Sequence, residues 1–213
     1  MPVDEGLLHG WFYGNLYVRE IAAIGFAFLM GSIPFGPIAA WLFSDADPRL
    51  LRSGTGLAPL FDAAKTFAPT LIAAHGGGLS IGLCAGFAGI AGDCFSPWRG
   101  FRGGRGSAAE FGALLAVCWP AGAMFGAVWL VCAVASNYAA VGSLAAATFA
   151  FVPLWFFAGA PGAIMGALAA LAVAARHSGS FARLSEGCEP TMRGARRRPA
   201  SVVRLRGEPV QSV

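Results

Sequence analysis

Hydrophobic residues in this chain run in long blocks, with polar positions confined to short interruptions between them. Ile21 to Phe43 is a block long enough to cross the hydrocarbon core of a bilayer as a helix. Inside it, Gly31-Ser32-Ile33-Pro34-Phe35-Gly36-Pro37 carries two prolines, which remove backbone donors and kink or break a helix. A broken helix in lipid needs protein or a water-filled cavity to satisfy the freed carbonyls, so this break either faces a site or serves packing alone. Leu60 to Ala74 reads as a second, shorter segment carrying Asp62 and Lys65, three positions apart and therefore on one helix face. His75-Gly76-Gly77-Gly78 reads as a turn, with His75 a solvated loop residue, and Leu79 to Ala91 as a third, glycine-rich segment. Ser107 to Trp119, Gly122 to Ala135, Val141 to Phe157 and Gly162 to Ala175 follow, divided at Pro120, at Ser136-Asn137-Tyr138 and at Gly159-Ala160-Pro161. Between Glu110 and Arg176 there is no Asp, Glu, Lys, Arg or His, a run several times longer than one spanning helix needs. The pattern predicts an all-α, polytopic membrane helix bundle of about seven helices, some short enough to be tilted or re-entrant.

Composition agrees. The 213 residues are 56% hydrophobic and 12% charged, about half the charge of a soluble domain. Thirty glycines suit close helix approach in lipid, where small residues drive packing. The acidic start and long first block argue against a cleaved signal peptide. The five cysteines lack C-x-x-C spacing and have few histidines beside them, which predicts neither zinc nor a disulfide, and no metal or cofactor is expected.

Charge sets the topology. With the N-terminus outside, the loops at 44–60, 93–106 and 136–140 and the C-terminal tail share one face, which then holds every Lys and Arg except Arg19. By the positive-inside rule that face is cytoplasmic. Residues 1–190 then form a single membrane-embedded domain, and 191–213 a basic cytoplasmic tail, disordered by composition. The tail suits anionic head groups of membrane lipids better than nucleic acid, which is not expected as a partner. Oligomeric state is not legible.

The chemistry gathers in Asp93-Cys94-Phe95-Ser96-Pro97-Trp98-Arg99-Gly100-Phe101-Arg102-Gly103-Gly104-Arg105-Gly106. Guanidinium groups fit phosphate oxygens, and closely spaced glycines bring bare amides to an anion. The same three arginines also satisfy the positive-inside rule with no ligand at all. Ser53-Gly54-Thr55-Gly56, with Arg49 and Arg52 nearby, offers further donors, as any polar loop does. Asp62 and Lys65 form either a functional pair or a plain ion pair at the membrane edge.

These residues resemble the bacterial integral-membrane glycerol-3-phosphate acyltransferases that use acyl-phosphate as donor. The resemblance rests on Gly31 to Gly36 in the first helix, Asp47 with Arg49, Asp62 with Lys65, and Phe101-Arg102-Gly103-Gly104-Arg105-Gly106 for the family's Phe-Lys-Gly-Gly-Lys-Gly. Arg176-His177, Arg183-Leu184 and Gly187 with Glu189 complete it, in order, from about residue 25 to 190. It implies transfer of a fatty acyl group from acyl-phosphate to glycerol-3-phosphate, giving lysophosphatidic acid for phospholipid synthesis, at the bacterial inner membrane with the site toward the cytoplasm. It implies Ser32, Arg49, Ser53, Lys65 and Asp93 as catalytic positions, with Arg102, Gly103, Gly104, Arg105, Gly106 and Ser143 holding phosphate. The acyl chain is expected between helices, near the break at Pro34. This chain departs from the family pattern at Thr55 for Asn, Asp93 for His, arginines for both loop lysines, and Ala140 for a Ser, with Ser143 remaining. Asp93 is expected to pair with Arg102 or Arg105 and weaken anion binding, so that Asp93→His raises activity or phosphate affinity. A paralogue that binds lipid or phosphate without acyl transfer, and a small transporter, are the alternatives.

Overall fold

The computed structural model of the protein describes residues 5–35, 57–101, 103–187 and 189–192. The loop holding Arg49 and Ser53, the Arg102 side chain, Cys188 and the basic tail lie outside them. The helices are α1 (Glu5–Ser32), α2 (Leu57–Cys94), α3 (Ser107–Val117), α4 (Trp119–Ser136), α5 (Ala139–Phe149), α6 (Phe151–Arg176) and α7 (Ser178–Ser185), with a 3₁₀ turn at Pro97–Arg99. Among the described residues three stretches are long and apolar enough to cross a membrane: Ala58–Arg99, Trp119–Ser136 and Ala139–Arg176. The chain is an all-α, multi-pass membrane protein.

α1 starts well before the expected Ile21, at Glu5, so the helix runs through a stretch with three glycines and several aromatic residues ahead of the apolar block. It stops at Ser32, since Ile33 precedes a proline and the residue before proline is pushed out of the helical region. α2 and α6 are each helical hairpins. Gly78 (φ 78°, ψ −176°) reverses α2 and Gly159 (φ 65°, ψ −156°) reverses α6, both with positive φ that glycine adopts without strain. The α2 reversal falls inside the expected turn, and the α6 reversal at the expected Gly-Ala-Pro break. Ala150, which is helical, carries α5 almost without interruption into α6.

Glycine spacing shows how the arms pack. A Cβ at Gly82 would lie 2.6 Å from Ala74 Cβ, one at Gly86 would lie 3.4 Å from Thr70 Cγ2, and one at Gly89 would lie 3.2 Å from Thr66 Cγ2. A turn forward on one arm meets a turn back on the other, so the arms are antiparallel and glycine sets how closely they approach. On the outer flanks, a Cβ at Gly31 of α1 would collide with the Gly89 carbonyl, and one at Gly112 of α3 with the Ala63 carbonyl. Leu83, Leu114, Phe125, Leu154 and Val173 fill the space between α2, α3, α4 and α6. We expect Gly112→Val to force α2 and α3 apart and lower stability by about 3 kcal/mol. Gly25→Ala, where a Cβ meets nothing, should leave the thermal midpoint in detergent unchanged or slightly raised.

This up-and-down order puts the end of α1, the start of α2, the loop at 95–106, Asn137 and Arg176 at one end of the bundle. Gly78, Cys118 and Gly159 mark the other end. Among the described residues every Lys and Arg except Arg19 falls at the first end.

Candidate functional site

The site is built on the broken end of α1, whose last carbonyls have no partners within the helix. Ser32 Oγ donates to the Leu29 carbonyl (2.7 Å), Ser96 Oγ to the Ser32 carbonyl (2.6 Å), and Lys65 Nζ to the Ile33 carbonyl (3.1 Å). Trp98 Nε1 donates to Ser32 Oγ (2.9 Å), so this buried hydroxyl is engaged as donor and acceptor. The ammonium of Lys65 also lies at a negative helix end, a favourable place for a cation.

Lys65 has three donors and the structure uses all of them. Besides Ile33, its Nζ meets Asp62 Oδ1 at 2.8 Å and Asp93 Oδ1 at 2.5 Å. The geometry therefore gives Lys65 an internal task, joining both arms of α2 to α1. Among the described residues Asp93 pairs with Lys65 and not with Arg105, one of the two arginines expected for it; Arg102, the other, lies outside them. Asp93 Oδ1 takes Lys65, its Oδ2 accepts the Gly106 amide (3.0 Å), and its backbone carbonyl accepts the Gly104 amide (2.7 Å). The reason is position: Asp93 sits in the last turn of α2, facing the buried ammonium, while the chain folds back over it. Two of the four glycine-loop amides offered to phosphate by the sequence are thus already spent on Asp93. A Cβ at Gly104 would lie 2.6 Å from Asp93 Oδ2, so the loop closes over the carboxylate only because no side chain is there.

Arg176 secures the same loop from α6. Its Nη2 donates to the Gly103 carbonyl (2.8 Å) and its Nε to the Gly104 carbonyl (3.1 Å), two bonds from one planar fork. Gly106 then turns the chain into α3 at φ 81°, where a Cβ would lie 2.5 Å from Cys94 Sγ. No side chain caps α3, and its first internal bond runs from the Glu110 amide to the Gly106 carbonyl (2.8 Å). The earlier amides of α3 are free of intrahelical partners and sit at the positive end of the helix. Phe101, at the loop's exposed tip, is held at φ 61°, a strained conformation for an aromatic residue, and its amide is tied to the Ser96 carbonyl (3.0 Å).

These groups surround one cavity of about 800 Å³. Of the residues expected from the sequence, Ser32, Lys65, Asp93, Gly103, Gly104, Arg105, Gly106 and Ser143 all line it. Ser143 accepts from Trp129 Nε1 (3.2 Å) and donates to Ser107 Oγ (3.2 Å), so a hydroxyl reaches the cavity one turn beyond Ala140. The expected residues missed Arg99, Arg176, Ser107 and Trp129, which line it too. Arg176 carried a signal, as the first charge after the long uncharged run; Trp129 carried none, being one apolar residue among many. His177, beside Arg176, is fully buried; its Nδ1 donates to the Val173 carbonyl (2.9 Å), and Nε2 has no partner among the described residues. Burial pushes this imidazole below its ordinary range, opposed by the bond to Val173 and reinforced by Arg105. Among the described residues no group of three His, Cys, Asp or Glu converges as a metal site.

The arrangement is a cationic, amide-rich mouth at one end of an apolar pocket inside a membrane bundle. The sequence profile described as glycerol-3-phosphate acyltransferase matches residues 55–187. A glycerol-3-phosphate acyltransferase of Rhodopseudomonas palustris is 34% identical over 184 residues, spanning 79% of this chain and 94% of that protein. One from a Jannaschia species is 36% identical over 182 residues, spanning 77% and 88%. The crystal structure of PlsY, an integral membrane glycerol 3-phosphate acyltransferase, in its lysophosphatidic acid form superposes with a TM-score of 0.71 at 27% identity, covering 81% of this chain and 95% of that one. Its glycerol 3-phosphate form gives 0.70 at 26% identity, covering 87% and 98%. With its profile matched over more than half its length and its fold shared, the chain belongs to the glycerol-3-phosphate acyltransferase family.

Proposed function

We propose that this protein is a membrane acyltransferase that moves a fatty acyl group from acyl-phosphate to glycerol-3-phosphate, with the cavity as its active site. The observation that carries the reading is the convergence of Arg99, Arg105 and Arg176 with the uncapped start of α3 on the mouth of a pocket that is apolar at its far end. Two phosphorylated reactants need their negative charge neutralised and their reacting atoms held together, and fixed donors do both. The hydroxyl oxygen of glycerol-3-phosphate forms a bond to the acyl carbon, the bond from that carbon to the phosphate oxygen breaks, and the hydroxyl proton leaves with the phosphate. Arg105 and the first amides of α3 hold one phosphate. Ser143 and Ser107 place hydroxyls beside it, and Arg49, Ser53 and Arg102, which lie outside the described residues, are the further donors we assign to the substrates from the family pattern. The basic end of the bundle faces the cytoplasm and the protein resides in the inner membrane, as charge asymmetry supports. Residues 1–190 act as one domain, with the tail beyond them against anionic lipid.

The test is direct. Purified protein in detergent, given labelled acyl-phosphate and glycerol-3-phosphate, should release labelled lysophosphatidic acid, and Arg105→Ala should lower kcat/KM by about a hundredfold or more. A second reading draws on Lys65 and the Gly104 and Gly106 amides being spent internally: the protein binds phosphate or lipid without transfer. Well-folded protein that binds glycerol-3-phosphate and yields no product would establish that second reading instead.

A further inference from the structure

We infer that the Phe111–Phe125 ring pair, with Gly126 beside it, is the stop that limits how long an acyl chain the cavity accepts; this rests on the proposed acyltransferase reading. The cavity does not end at the polar mouth. Its lining continues past Ser107 and Trp129 to Phe111 on α3 and Phe125 and Gly126 on α4. The two rings stand 6.1 Å apart, inclined at 33°. Phe125 is anchored in the core with Leu83, Leu114 and Leu154, so its ring cannot swing aside without opening a void. A Cβ at Gly126 would lie 3.2 Å from Phe111 Cε2, so a side chain there presses on that ring and the ring must give by a few tenths of an ångström.

Depth fits the role. Phe111 lies four residues into α3, about 6 Å along the axis from the amides that receive the phosphate, and Gly126 lies eleven residues before the end of α4 at Asn137, about 16 Å. A phosphate fixed at the mouth therefore measures the tail against the rings, as a ruler fixed at its zero. Each methylene that finds apolar surface contributes about fourfold in affinity, and the first that meets the rings contributes nothing and must displace packed side chains.

The experiment compares octanoyl, dodecanoyl and hexadecanoyl phosphate as donors for the full-length protein in detergent. Gly126→Ala and Gly126→Leu should shift the preference progressively to shorter donors, with the long-to-short ratio of kcat/KM falling roughly tenfold for Leu. Phe111→Ala, or Phe111→Leu if the alanine variant does not accumulate, should shift it to longer donors. The KM for glycerol-3-phosphate should stay within about twofold in all of them, since none touches the mouth. Active variants with the chain-length profile of the unsubstituted protein overturn the inference while leaving the acyltransferase reading intact. An unsubstituted protein that transfers none of the three donors sinks that reading, and this inference with it.

Discussion

Lys65→Met should abolish transfer and cost roughly 3–5 kcal/mol of stability, the usual penalty for removing one partner of a buried ion pair. The ammonium lies between the carboxylates of Asp62 and Asp93 and also holds the Ile33 carbonyl at the break in α1. Without it, Asp93 is a buried charge with no counter-cation, and the end of α1 loses its tie to α2. The informative companion is Lys65→Met with Asp93→Leu. Removing both charges should recover most of the thermal stability, because Asp62 is partly exposed and can find water. Activity should stay lost, because the Gly106 amide has lost its acceptor and the loop its anchor. A Lys65→Met protein that melts with the unsubstituted one would show that the network carries no weight. The same geometry reverses the expectation drawn from the family pattern: Asp93→His should lower activity and phosphate affinity, because an imidazole here faces an ammonium.

Arg176→Ala is the second large effect, and of a different kind. Arg176 is partly exposed and sits at the end of α6, so the fold should survive its loss. The carbonyls of Gly103 and Gly104 would lose both bonds that fix them, at about 1.5–3 kcal/mol for each bond to a charged donor. Displacing the loop by as little as about 1 Å is enough to lower turnover a hundredfold. We expect kcat to fall by at least that factor, with amide exchange in residues 99–106 speeding up while the rest of the bundle stays protected. Arg176→Lys should rescue only in part, since a single ammonium cannot span two carbonyls as a planar fork does. A variant with normal exchange in the loop and a thousandfold loss would place Arg176 on the substrate rather than behind the loop.

Both effects pass through residues whose types were plain in the sequence and whose tasks were not. Asp62 and Lys65 were readable as a pair, since three positions on a helix is a contact by construction. Asp93 was readable as a charge beside a basic loop, and the natural inference was that it meets an arginine. What brought it to Lys65 was the reversal of α2 at Gly78, which returns the far arm so that residue 93 lies against residue 65. Ser143 and Ser107 illustrate the same limit, since their meeting depends on how α3 and α5 pack. Trp129 had no signal, because an indole among apolar residues looks like core until its Nε1 is seen on a hydroxyl.

The sequence by itself determined what depends on neighbours along the chain. Apolar blocks required membrane helices, proline and glycine set the places where they break, and the distribution of Lys and Arg picked one end of the bundle for the chemistry. Those are local or summed properties, governed by transfer free energy, backbone dihedrals and net charge. The tertiary structure alone decided which donors remain free for a substrate and which are spent on the protein, and how deep the apolar end of the cavity runs. Hydrogen bonds saturate: a donor has one proton to give, and whether the Gly106 amide faces Asp93 or open space depends on a partner thirteen residues away that only packing brings near.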